Sequence, residues 1–302
     1  MLFRSGRKLD EFDDWIGNRD RERHVLHSTS KSFMSALIGI AIDRGFIAST
    51  QVGFYGMFPY SSYANPDTRK DDMTLEDALT MRLGLRWDEW SWPYTDSRND
   101  LATLTSQHSD WPKALLDLPM IHDPGTVFAY NTAATTTIGQ ALENATGQPM
   151  AQFANANLFY PMQINDAEWA TTPTGLPVGG SGLFLRTRDL AKFGQLYVDG
   201  GVWQGQRLVS AAWVAESVVP RVDLSSIVSD ATGYGYQWWL DELDYGTATV
   251  ETWSTRGYGG QYVFCVPSLN LVVAFTGHNY DNSQGIGALF TMMRSYILAA
   301  ID

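Results

Sequence analysis

The sequence predicts an α+β fold: one antiparallel sheet built from both ends of the chain, flanked by terminal helices, with a helical domain inserted. Three observations carry this expectation. Residues 2–16 read as a strand hairpin. From Ser28 to about Val198 the apolar spacing is mainly helical, and past about residue 233 it becomes strand-like. Strands that open and close a chain around a helical middle find their simplest partners in each other. The expected division is residues 1–45 with 226–302 for the sheet domain and 46–225 for the mostly helical insertion.

The hairpin is expected to turn at Ser5-Gly6-Arg7. A helix follows from Ser28, with Phe33, Leu37, Ile40 and Ala41 on one face and Gly45 as its stop. A second helix starts at Thr74, where Asp77 completes a capping-box pair ahead of Leu79. Residues 84–112 are rich in Trp, Asp and Ser without a period and read as a long ordered loop. Helices are expected over Asn131–Ala145 and Arg188–Val198, with turns at Pro124-Gly125 and Gly179-Gly180-Ser181-Gly182. Strands are expected at Tyr234–Leu240, Thr247–Thr255, Gln261–Val266 and Leu271–Thr276, the last two joined by the hairpin turn Pro267-Ser268-Leu269-Asn270. A final helix is expected over Ile286–Ala300.

The bulk composition excludes several function classes. The chain has 302 residues, 44% hydrophobic, with 11 Trp, 14 Tyr and 14 Phe, so it can bury a sizeable core. The formal charge of −12 repels phosphate backbones and anionic membranes, which argues against a nucleic-acid or membrane partner. The single cysteine, Cys265, lies in an apolar run and reads as a buried, inert thiol. The N-terminal residues carry no signal-peptide pattern and the longest apolar run, Phe33 to Ile42, is too short to span a bilayer, so a soluble, cytoplasmic protein is expected.

Ser28-Thr29-Ser30-Lys31 carries chemistry. A serine hydroxyl is a weak nucleophile until a base takes its proton. On a helix, i and i+3 share a face, so Lys31 reaches Ser28. Free backbone N–H groups at a helix start favour a developing oxyanion. Lysine acts as a base only when neutral, which requires burial or nearby cations. Ser5-Gly6-Arg7-Lys8 has the same spacing but sits in an expected turn, and taken alone Ser28 reads equally as a helix cap. The five histidines show no metal-ligand spacing, and no metal or cofactor is expected. Val25-Leu26-His27 before Ser28 is no nucleophile elbow, so a Ser-His-Asp triad is not indicated. Trp87, Trp90, Trp92 and Trp111 read either as the wall of an apolar acyl pocket or as core, and Trp238-Trp239 as structural.

The surroundings of Ser28 resemble the penicillin-recognising serine hydrolases: class C β-lactamases, DD-peptidases, family VIII carboxylesterases and 6-aminohexanoate-dimer hydrolases. Ser28-Thr29-Ser30-Lys31 matches the first element of that superfamily, and Pro124-Gly125-Thr126-Val127-Phe128-Ala129-Tyr130-Asn131 resembles the second. Thr255-Arg256-Gly257, leading into Tyr258-Gly259-Gly260, lies where relatives carry K-T-G or H-x-G. Residues 73–81 and the stretches 180–183 and 187–194 also match, so the resemblance covers nearly the whole chain. It implies a β-lactamase/DD-peptidase-like fold and assigns roles by position. Ser28 attacks a carbonyl carbon, Lys31 takes its proton, and Tyr130 relays it to the leaving group. The backbone of Ser28 and of a residue near Gly259 forms the oxyanion hole.

Two departures stand out. Asn131 comes one place early and Thr132 holds the usual Asn position, so the amide-orienting group is missing or replaced by Asn131. Thr255 stands where β-lactamases carry Lys, and Arg256, next to it on a strand, points to the opposite face. Both favour a small-molecule ester or linear amide, cleaved through an acyl-Ser28 intermediate. The alternatives are a β-lactamase or DD-peptidase, and an inactive penicillin-binding-like sensor. The oligomeric state is open.

Overall fold

The computed structural model describes residues 2–4, 7–10 and 22–301. Among these, strands β1 (Leu2–Arg4), β2 (Arg7–Asp10), β8 (Val222–Asp223), β9 (Gly233–Tyr234), β10 (Trp239–Tyr245), β11 (Ala248–Gly257), β12 (Gln261–Val266) and β13 (Leu271–Phe275) form one antiparallel sheet in the order β2-β1-β13-β12-β11-β10-β9-β8. The N-terminal hairpin docks on the last strand, Leu2 opposite Val273 and Arg4 opposite Leu271. The expected hairpin is therefore present where it is described; Ser5, Gly6 and residues 11–16 lie outside the described residues. Two smaller sheets hold β3 (His24–Val25), β5 (Leu183–Leu185) and β4 (Glu168–Trp169), and β6 (Val202–Trp203) with β7 (Gln206–Arg207).

All six residues of β12 are buried, because the sheet is covered on both faces. Val263 and Cys265 point into the main core, with Phe33 of α1 (Ser30–Asp43) and Phe193 of α7 (Thr187–Val198). Tyr262, Phe264 and Val266 face the other way, onto Leu289 and Phe290 of α9 (Ser283–Thr291). This is the period of two that a strand imposes. The α7 helix lies tight on the sheet at Gly194, where a Cβ would come within 2.6 Å of Val263 and Val272. Cys265 is fully buried and donates to the Gly194 carbonyl; burial pushes its thiol up, as the apolar run implied.

Between the sheet segments lie α2 (Leu75–Leu79), α3 (Asp100–Gln107), α4 (Trp111–Leu116), α5 (Thr132–Thr146), α6 (Met150–Ala154) and α8 (Ala211–Ser217). The capping box is present: Thr74 Oγ1 accepts from the Asp77 N–H at 3.1 Å, and Asp77 accepts from the Thr74 N–H at 2.9 Å. Gly45 ends α1 at φ +76°.

Four expectations need correction. Residues 84–112 are not one loop: Asn99 and Asp110 cap α3 and α4, leaving 84–99 irregular. The helix expected from Ser28 begins as a 3-10 turn over His27–Thr29 and becomes α1 only at Ser30, where Ser30, Lys31 and Ser32 each find a buried hydrogen-bond partner. The strand expected over Tyr234–Leu240 is broken by a turn, where Gln237 adopts φ +62° and its side chain ties to the carbonyls of Ala78 and Leu79. The last helix passes from α9 into a π turn over Met292–Ile297 and a 3-10 turn over Leu298–Ala300.

Candidate active site

Ser28 sits in a 3-10 turn, His27–Thr29, between β3 and α1. In that geometry i and i+3 are eclipsed, which brings Lys31 directly under Ser28. The turn begins with His27 at φ +47°, and that twist swings the imidazole out between the rings of Tyr258 and Tyr280. Burial, and then the Lys31 charge, lower the His27 pKa, so it is neutral at physiological pH.

Lys31 is 1% exposed. Its Nζ lies 2.9 Å from Ser28 Oγ, 2.9 Å from Thr132 Oγ1 and 2.8 Å from the Gly180 carbonyl. Burial pulls its pKa down to about 7, partly offset by the charge of Glu89. Tyr130 is 6% exposed, with its ring centroid 4.8 Å from Lys31 Nζ. Its phenol is pushed far up by burial and by Glu89, against an opposing hydrogen bond from Ser28. The two groups beside Ser28 are therefore sorted by environment: the amine can be neutral near pH 7, whereas the phenol keeps its proton.

Gly180 is required at its place. A Cβ there would come within 2.3 Å of the Thr132 carbonyl, so only glycine lets this strand of chain present its own carbonyl to Lys31.

Glu89 was not legible as a site residue in the sequence. It lies in the irregular stretch 84–99 and is 3% exposed. It accepts from the Thr132 N–H at 2.7 Å, from the Thr132 hydroxyl at 2.5 Å, and from Trp87 Nε1 and the Tyr94 hydroxyl at 3.2 Å each. Thr132 is thus doubly engaged, by Lys31 and by Glu89. The one available signal was Glu89 itself, a carboxylate inside a Trp-rich run.

The other residues suggested by the sequence are divided by the fold. Asn131 caps α5, its Oδ1 accepting from the Ala134 N–H at 2.8 Å, and it does not line the cleft with Ser28. Thr255 is fully buried behind the His27–Thr29 turn, where its hydroxyl meets Thr29 Oγ1 at 3.2 Å. Arg256 does point to the opposite face, but that face is the cleft. Gly257 also lines the cleft; a Cβ there would come within 2.2 Å of the Leu26 carbonyl, which is how closely β11 passes the turn that carries Ser28. Gly259 lies outside the cleft wall, at φ +83° against the Tyr280 ring, and Tyr258 takes the wall position. Of the four tryptophans near residue 100, only Trp90 lines the cleft, stacked on Tyr130 with centroids 5.1 Å apart. Trp87 is core, bonded to Glu89, and Trp92 stacks under Arg98. Of the pair expected to be structural, Trp238 is fully buried against Tyr197, while Trp239 faces the cleft. The cleft has a volume of about 280 Å³.

No described helix is long and apolar enough to cross a membrane. The sequence model of the family described as Beta-lactamase matches residues 2–285. A 6-aminohexanoate-dimer hydrolase of Paenarthrobacter ureafaciens is 25% identical over 272 residues, 83% of this chain; the chain spans 65% of that relative's length. A penicillin binding protein from Bacillus halodurans is similar in structure at TM-score 0.72 and 16% identity, over 97% of this chain and 95% of that one. A family VIII carboxylesterase is similar at TM-score 0.64 and 18% identity, over 88% and 82%. The expected α+β architecture is thus the fold of penicillin-binding and carboxylesterase structures alike, and the family match runs through every segment that builds the cleft: the chain belongs to the Beta-lactamase family.

Proposed function

We propose that the protein hydrolyses carboxylic esters, and linear amides of similar size, through an acyl-Ser28 intermediate. One observation carries this reading: Lys31 Nζ, its pKa drawn down to about 7, stands 2.9 Å from Ser28 Oγ. The hydrogen-bond inventory supports it. The Gly180 carbonyl can only accept, and the Thr132 hydroxyl spends its proton on Glu89, so it too must accept from Lys31. A neutral amine has two N–H bonds and one lone pair. Both N–H bonds are claimed, so the lone pair faces Ser28.

The chemistry then follows. Ser28 Oγ bonds the carbonyl carbon as its proton passes to Lys31. The oxyanion forms beside the backbone N–H groups of Ser28 and Tyr258, neither of which donates to a backbone carbonyl among the described residues. Tyr130, still protonated, gives its proton to the leaving group and recovers one from Lys31. Water then cleaves the acyl-enzyme by the same route in reverse. The ester preference is supported by the cleft. A β-lactam carboxylate needs a free cation, and the cation lining the cleft, Arg256, is held by Asp230 and Asp241. Carboxylesterase activity belongs to a structural relative, and hydrolysis of a 6-aminohexanoate dimer to a sequence relative. An inactive sensor would have no use for a lysine held neutral against a serine.

A fluorophosphonate probe is expected to label Ser28, read by peptide mass spectrometry. An active preparation that carries the adduct elsewhere, or none, overturns the assignment. On one preparation, kcat/KM for p-nitrophenyl butyrate is expected to exceed that for nitrocefin by at least about 10-fold, the scale of one lost charge-assisted contact. A faster nitrocefin reaction would replace the ester reading with the β-lactamase one.

A further inference from the structure

The charge at the cleft wall points to a substrate class. Arg256 is 8% exposed and each of its three side-chain nitrogens has a partner. Its Nη1 lies 3.1 Å from Asp230 Oδ1, its Nη2 donates to the Asp230 carbonyl at 2.7 Å and to the Asp241 carboxylate, and its Nε donates to Ser254 Oγ at 3.1 Å. Ser254 Oγ in turn donates to Asp241 Oδ2 at 2.9 Å. The guanidinium carbon also lies 4.8 Å from the Trp239 ring centroid and 5.1 Å from that of Phe290. One positive charge is therefore shared by two carboxylates. Asp241 is buried, but Asp230 lines the cleft with its side chain 38% exposed. A further carboxylate, Asp281, accepts from the hydroxyl of the cleft residue Tyr258.

The walls around Asp230 are aromatic: Trp90, Tyr94, Tyr130, Trp239, Tyr258 and Tyr262. Aromatic faces with an adjoining carboxylate attract ammonium groups, whose charge meets the ring faces and whose methyl or methylene groups are desolvated cheaply. The same surroundings repel a carboxylate. We propose that the cleft selects substrates carrying a cationic, ammonium-type group and discriminates against anionic ones, with Asp230 as the specificity-determining residue. This rests on the ester-hydrolase reading and names its substrate class.

The test compares three p-nitrophenyl esters at low ionic strength: 4-trimethylammoniobutyrate, its neutral isostere 5,5-dimethylhexanoate, and the half-ester of adipic acid. Relative kcat/KM is expected to fall in that order, with the cationic ester roughly 5-fold above the neutral one, a ratio of the size expected for a partly exposed cation–π and ion-pair contact. Added salt should compress the series. Asp230→Asn should bring the cationic and neutral esters within about 2-fold, and Asp230→Glu should restore the gap. A neutral or anionic ester that is turned over fastest overturns the proposal while leaving the ester reading intact. Binding is measured separately in the Ser28→Ala protein, by Trp fluorescence with benzyltrimethylammonium and with phenylacetate. Tighter binding of the cation, lost in Ser28→Ala/Asp230→Asn, supports the proposal without turnover; equal or tighter binding of phenylacetate refutes it. If no ester is cleaved and Ser28 takes no fluorophosphonate, the hydrolase reading fails and the binding comparison alone decides the charge selection.

Discussion

Lys31→Ala is expected to lower kcat/KM for p-nitrophenyl butyrate by about 10²–10⁴-fold, the range for loss of a positioned general base. In the unaltered enzyme the same residue sets the pH profile. Burial lowers the Lys31 pKa to about 7, so the ammonium predominates below that pH and cannot take the Ser28 proton. As pH rises through about 7 the amine becomes neutral and kcat/KM rises, reaching its plateau near pH 8 rather than above 10. Tyr130 adds no limb in this range, because its phenol is shifted upward. Stopped or continuous assays across pH 5–9 and a melting curve for the variant check both statements. A folded Lys31→Ala enzyme that keeps most of its rate, or a flat profile through pH 7, would show that another group is the base.

Glu89→Gln is expected to cost about 10²-fold in kcat, the scale set by a misplaced reacting group. Both oxygens of Glu89 are in use, one on the Thr132 N–H and one on the Thr132 hydroxyl. An amide has only one oxygen to offer, so one of these bonds is lost. If the hydroxyl loses its acceptor, its proton is free to turn toward Lys31, and the amine lone pair is no longer directed at Ser28. The pH profile separates this from general damage. The charge of Glu89 raises the Lys31 pKa, so removing it makes the ammonium less favourable and moves the rising limb to lower pH. Thr132→Val should lose rate without that loss of charge, and Thr132→Ser, which keeps the hydroxyl, should recover most of it. A Glu89→Gln enzyme with a full rate and an unmoved limb would leave Glu89 as scaffolding only.

The parts legible in the sequence were those whose cause is local. Ser28 and Lys31 are three residues apart, and the helical path from one to the other brings them together. Thr74 and Asp77 close their capping box within a single turn. Strand alternation in β12 separates the two cores, and the N-terminal hairpin needed only strand pattern to be placed beside the C-terminal strands. Tyr130 was reached through the motif around it, not through any period.

What the tertiary structure alone decided are contacts between distant segments. Lys31 gains its second and third partners 101 and 149 residues along the chain, at Thr132 and Gly180, and Glu89 reaches Thr132 across 43. Alternation separated Thr255 from Arg256, yet which of the two faces the cleft depends on where β11 passes the turn that carries Ser28, a close approach allowed by Gly257. The same holds for Trp238 and Trp239, one buried under α7 and the other open to the cleft. The residue types and their spacing determined which groups could do acyl-transfer chemistry. Burial and long-range hydrogen bonds set the surroundings of those groups, because desolvation and donor–acceptor matching depend on neighbours that sequence separation does not reveal.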